Sequence, residues 1–155
     1  KKVKPISYVT YNCAQYEKNY IRVNSMNQIV KNVKSYQPDI IIFRLGENFP
    51  PDYVNNKKYN PYQYLFKLVS ILKNICPKIV VTSLFWAHEI IDNALERVAK
   101  ELNLEYVTIN HLGNNDKYKA IGKFKHQGIC LHPNDLGMRH IALLINEAIV
   151  KRYLK

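Results

Sequence analysis

With 155 residues, 47% of them hydrophobic, the chain is long enough to bury the core of one domain, and a single domain over 1–155 is expected. No apolar run approaches the ~20 residues that cross a bilayer, so a spanning helix is excluded and no membrane partner is expected. A net charge of +11 and a pI near 9.5 would ordinarily point to nucleic acid. Here lysine outnumbers arginine 18 to 5, and the chain is also rich in Asn, Ile and Tyr, a composition that A/T-rich coding produces unaided. Nucleic acid is therefore not the expected partner despite the basic pI. Only "KYKAIGKFKH" (117–126) concentrates the charge. A solvated loop is the favoured reading of that stretch, and an anionic-ligand or RNA-contacting strip is the sharper one.

Periodicity and punctuation predict a regular alternation of elements. "PISYVTYN" (5–12) reads as a strand. "SMNQIVKNVKSY" (25–36) sets Met26, Ile29, Val30 and Val33 at helical spacing, with Ser25 available as a cap. "PDIIIFRLG" (38–46) is apolar on both faces, the pattern of a central parallel strand. "PYQYLFKLVSILKNI" (61–75) is a helix with Asn60 as cap and Pro61 in the first turn. "KIVVTSLF" (78–85) is a buried strand, "AHEIIDNALERVAKELN" (87–103) the clearest helix and "EYVTI" (105–109) a strand. A long irregular segment then leads to a final helix from about Asn134 to Tyr153.

Strands alternating with helices at these lengths need crossover connections, which make a parallel sheet covered on both faces. The expected fold class is α/β, as a three-layer α/β/α sandwich. Ligands of such sheets bind beyond the carboxyl ends of the strands, so the residues that follow each strand are the candidates. With 5 glycines and no Gly-rich loop, a phosphate cradle of the dinucleotide or P-loop type is excluded, and no cofactor is expected. Cys13, Cys76 and Cys130 lie far apart and read as small buried hydrophobes. The spacing of His88, His111, His126 and His140 matches no usual ligand pattern, so no metal is expected.

Two post-strand positions carry chemistry together. In "RLGEN", Gly46 permits a tight turn from which Asn48 projects an amide, and His132 is fixed by Pro133 ahead of the last helix. An imidazole as general base and an amide donating to a developing oxyanion suit acyl transfer. Each has a bland alternative: Asn48 as an ordinary turn residue, His132 as a capping-loop histidine. Arg44 most simply pairs with Glu47 or Glu17, or else holds an acidic substrate group. Trp86 is either a sugar-stacking wall or a partly buried core aromatic. Cys13 as a thiol nucleophile is a distant further option.

"PDIIIFRLGEN" and "LHPNDLGMRHIA" resemble, in the right order and context, the oxyanion and closing blocks of the SGNH (GDSL-type) hydrolase superfamily. The resemblance extends over essentially the whole chain. It implies a flavodoxin-like sheet and a bacterial serine esterase that removes O-acyl groups, acetyl-like ones included, from a carbohydrate or similar small ester; whether it acts in the cytoplasm or is exported is left open. It makes Asn48 an oxyanion donor in a turn formed by Gly46, and His132 the base. "YNCAQYE" stands where the family offers a backbone N–H to the same oxyanion.

Two departures stand out. No Gly-Asp-Ser turn is present, and Ser7, Ser25, Ser35, Ser70 and Ser83 all lie in strand, cap or helix contexts. The nucleophilic serine is therefore expected on an upstream segment; the opening Lys1-Lys2 in place of Met points the same way. Secondly, Ile129 stands where the family has an aspartate, so His132 is expected to be oriented by a backbone carbonyl or by an acid such as Glu17 or Glu47. The alternative function is a non-catalytic binding module of the same fold, with a basic pocket for an anionic or glycan ligand.

Overall fold

A computed structural model describes residues 6–154. The chain is a mixed α/β protein; the described residues form three parallel strands, β1 (Ile41–Phe43), β2 (Ile79–Thr82) and β3 (Glu105–Val107), in the order β1-β2-β3. Ile41 aligns with Ile79, and Val80 with Glu105. In chain order the helices are α1 (Ala14–Lys18), α2 (Asn27–Tyr36), α3 (Pro51–Val54), α4 (Pro61–Ile75), α5 (Glu89–Glu101), α6 (Asn110–Gly113), α7 (Gln127–Cys130) and α8 (Asp135–Tyr153). Short 3-10 turns at Lys57–Tyr59 and Asp116–Tyr118 complete the fold.

The caps follow the side chains. The Asn60 side-chain oxygen accepts the Tyr62 N–H at 3.0 Å and Pro61 opens α4, where its missing N–H costs nothing. Asn134 accepts the Gly137 N–H at 2.8 Å ahead of α8, which leaves Asp135 in the first turn, where a negative charge suits the helix dipole. Ser25 does not cap α2. Its hydroxyl is used one turn earlier, on the Arg22 carbonyl at 2.8 Å, and Met26 takes the N-cap position without a side-chain bond.

β2 is buried throughout and separates two apolar clusters. Ile79 and Val81 join Phe43, Leu65, Leu68, Val69, Ile91 and Leu95 in the larger one, which α2, α4 and α5 supply. Val80 belongs with Val107, Ile109, Ile141 and Ile145, beneath α8. The alternation is the two-residue period of a strand with both faces covered.

Two strand expectations are corrected. Residues 6–12 form no strand: Ile6 and Tyr8 are 91% and 84% exposed, and among the described residues no backbone hydrogen bond joins this segment to another element. Pro5 lies outside the described residues. β1, expected at the centre of the sheet, is an edge strand of three residues, because β2 pairs with one side of it and no described strand pairs with the other. Ile42, on the α8 side of the sheet, is 51% exposed, since α8 packs chiefly over β3 and β2. An apolar segment holds strand geometry only with a backbone hydrogen-bonding neighbour, and among the described residues, residues 6–12 have none.

Candidate functional site

The three strands point their carboxyl ends at one rim, and the loops that leave them carry the polar groups. After β1 the chain turns at Gly46, whose φ is +128°. A side chain there would be strained, and its Cβ would approach Ile91 Cγ2 to 2.7 Å. The turn is anchored by Phe49, which is buried and stacks on Tyr20 at 4.4 Å between ring centres. Burial pushes the Tyr20 hydroxyl up to about 12, and it donates to the Tyr59 carbonyl at 2.8 Å.

Asn48 is held from behind. Its Nδ2 donates to Glu17 Oε2 at 2.6 Å, and the other oxygen of that carboxylate accepts the Gly46 N–H at 2.5 Å. Glu17 is 4% exposed, and among the described residues no cation pairs with it. It therefore orients neither His132 nor Arg44, the two roles the sequence suggested for it. An amide nitrogen carries two hydrogens, so one remains for another acceptor.

Glu47 turns the other way. Its Oε1 accepts the Phe85 N–H at 3.1 Å and lies 3.7 Å from the Arg44 guanidinium, a partly exposed ion pair worth little in itself. The loop after β1 is thereby tied to the loop after β2. Trp86 follows at once. Its indole N–H donates to the Leu131 carbonyl at 3.1 Å, and its ring meets His132 edge-on, with centres 4.7 Å apart. His132 Nδ1 lies 3.2 Å from the Gly128 carbonyl oxygen. A carbonyl only accepts, so the proton of the neutral ring sits on Nδ1 and Nε2 is left as the basic nitrogen.

A chain of contacts thus runs along the rim from Asn48 through Glu47, Phe85 and Trp86 to His132. The structure does not bring Asn48 and His132 into direct contact. A cleft of about 240 Å³ lies beside this chain, lined by Gly46, Glu47, Phe49, Trp86 and His88 among others; Asn48, His132 and Arg44 are not part of its lining. The Nδ1 of His88 is buried without a hydrogen-bond partner.

Sequence reading missed a second polar cluster. The buried Asp92, in the first turn of α5, accepts the N–H groups of Leu84 at 2.8 Å and His88 at 3.1 Å and the Asn110 amide at 3.2 Å. Ser83 is 1% exposed and accepts the N–H groups of Ile109 and Asn110 at 2.7 and 3.0 Å. Both knit the β2 and β3 loops together, and Ser83 offers no attacking oxygen to the rim. The only prior signal was an aspartate on the apolar side of a predicted helix. Cys13 keeps its proton: desolvation first, then the Glu17 charge, pushes the thiol up, against a nucleophilic role.

Among the described residues no group of three or more His, Cys, Asp and Glu side chains is placed to hold a metal ion, and no helix is long and apolar enough to cross a membrane. Compared with protein-family models, with curated proteins and with solved structures, the chain matches none of them.

Proposed function

We propose that the rim is part of an acyl-ester hydrolase site of SGNH type, in which His132 is the general base and Asn48 donates to the oxyanion. The observation that carries this reading is the opposed preparation of the two groups. The Gly128 carbonyl fixes the imidazole so that Nε2 is basic, and Glu17 fixes one hydrogen of the Asn48 amide, leaving the other to meet developing charge. A backbone carbonyl sets the tautomer as an aspartate would, but lends less stabilisation to the imidazolium.

The full architecture in this reading is the three-layer, flavodoxin-like sandwich. Its missing part is a strand beside β1 that carries the nucleophilic serine. The support is the edge of β1 that no described strand pairs with, the exposed Ile42 and the apolar segment 6–12, which has no strand partner among the described residues. Trp86 walls the cleft and suits the face of a sugar, and the substrate class is an O-acylated carbohydrate or similar small ester.

Two observations favour the alternative, a non-catalytic binding module: the Asn48 amide already satisfies a carboxylate, and Ser83 is spent on backbone amides. The test is hydrolysis of p-nitrophenyl acetate by the protein of the complete reading frame. Turnover is expected to disappear in His132→Ala and to fall by roughly 10²- to 10³-fold in Asn48→Ala, the usual cost of an oxyanion donor. Turnover unchanged in His132→Ala rejects the hydrolase; absence of turnover in the unmutated protein, with retained binding of the acylated sugar, selects the binding module.

A further inference from the structure

The segment between the 3-10 turn at Asp116–Tyr118 and α8 is tied at its base. The Ala120 N–H donates to the His132 carbonyl at 2.9 Å, the Asn134 N–H to the Tyr118 carbonyl at 2.9 Å, and the Asn134 amide to the Lys117 and Lys119 carbonyls at 2.9 and 2.7 Å. Within the loop, the Cys130 thiol donates to the Phe124 carbonyl at 3.1 Å. A loop closed this firmly has no need to spend apolar side chains on solvent. Yet residues 121–129 are all exposed, and Ile121, Phe124, Ile129 and Leu131 each show about half of their surface.

Cations are interleaved with them. Lys119 is taken by Asp116 at 2.9 Å, but Lys117, Lys123 and Lys125 have no acidic partner among the described residues. Exposed apolar side chains set among unpaired lysines match two properties of one partner, a hydrocarbon boundary beneath negative headgroups. Nucleic acid would meet the charge and leave the aliphatic residues unused, because it binds through stacking platforms and only Phe124 here is aromatic and exposed.

We propose that the 121–131 loop is a docking surface for an anionic lipid bilayer, with Ile121 and Phe124 entering the headgroup boundary and Lys123 and Lys125 engaging the lipid charge. The contact is peripheral and needs no spanning helix. It does not rest on the hydrolase reading.

Co-sedimentation with mixed phosphatidylcholine–phosphatidylglycerol vesicles and with pure phosphatidylcholine vesicles tests it. Binding to the mixed vesicles and not the neutral ones is expected. Lys123→Glu with Lys125→Glu should weaken it by about 20-fold or more, since each cation at such a surface contributes roughly a factor of five. Ile121→Ser with Phe124→Ser should weaken it by about tenfold. All four positions are solvent-exposed, and circular dichroism is the check that the variants fold. No binding to the mixed vesicles overturns the proposal. So does binding that survives Ile121→Ser and Phe124→Ser and is displaced by a soluble polyanion such as heparin, which would make the loop a general polyanion strip.

Discussion

The Glu17 carboxylate grips the loop after β1 with both oxygens, one on the Gly46 N–H and one on the Asn48 side chain, and it does so from a buried position. A carboxylate buried without a cation is costly unless its lone pairs are met by good donors, and here two short bonds meet them. The same contact decides which way the Asn48 amide faces. Glutamine at position 17 keeps one acceptor and turns an NH₂ toward the other donor, so Glu17→Gln should lower stability by about 1 to 3 kcal/mol. Urea unfolding of Glu17→Gln, Asn48→Ala and the double variant measures the pair itself. A coupling of about 1 kcal/mol is expected, and simple additivity would show that the contact does not order the loop.

Gly46 is a second fixed point of that turn. Alanine there meets both a backbone conformation that L-residues avoid and Ile91 Cγ2 at 2.7 Å. Gly46→Ala should therefore cost about 2 kcal/mol or more, well above the few tenths typical of a surface change. An unchanged urea midpoint for Gly46→Ala would mean that the turn is free to relax.

How much of this could be read from the sequence depends on whether an element carries its own signal. Pro61, Asn60 and the Leu65, Leu68, Val69, Leu72 spacing specify α4 locally, and the structure places it over Pro61–Ile75 as the sequence indicates. Asn134 and Asp135 do the same for the start of α8. Strands are different, because a strand is stable only through a neighbour that the local sequence does not name. "PISYVTYN" has strand composition and "PDIIIF" the pattern of a central strand, yet residues 6–12 stand alone and β1 lies at an edge. In the proposed site, Gly46, Asn48 and Trp86 stand out in the sequence by their places after strands, and His132 by its place ahead of the last helix. Two of their partners, Glu17 for Asn48 and Leu131 for Trp86, reach them across the fold and were not legible, whereas Gly128 lies four residues before His132 and supplies a backbone carbonyl, one of the orienting groups expected for it.

Cys13 offers a chemical readout of the Glu17 charge. Burial and the nearby carboxylate raise its pKa, so at neutral pH it is a thiol and reacts slowly with iodoacetamide. Alkylation should accelerate only above the ordinary thiol range. The folded state holds this proton more tightly than the unfolded chain, so the stabilising contribution is complete below that range and is lost as the pH rises through it. Replacing Glu17 by Gln removes the second cause of the shift, and Cys13 should then be labelled faster than in the parent at the same pH. Peptide-resolved mass spectrometry separates Cys13 from the buried Cys76 and Cys130. Fast labelling of the parent at neutral pH would contradict the assigned environment.

Asp92 sets the geometry of the rim without touching any proposed reactant. It collects the N–H groups of Leu84 and His88 and the Asn110 amide, so the loops after β2 and β3 share one acceptor. Trp86 lies between Leu84 and His88, and its indole in turn packs on His132. Asp92→Asn preserves the shape but presents NH₂ to at least one donor, which leaves a buried N–H unpaired at a cost of about 1 to 3 kcal/mol. The loss should be local as well as global. Faster amide exchange at Leu84 and His88 is expected, together with a changed tryptophan emission, since Trp86 is the single tryptophan and reports only on this loop. Emission and exchange that match the parent in Asp92→Asn would mean that backbone pairing from β2 to β3 holds the rim unaided, and that the carboxylate is dispensable to it.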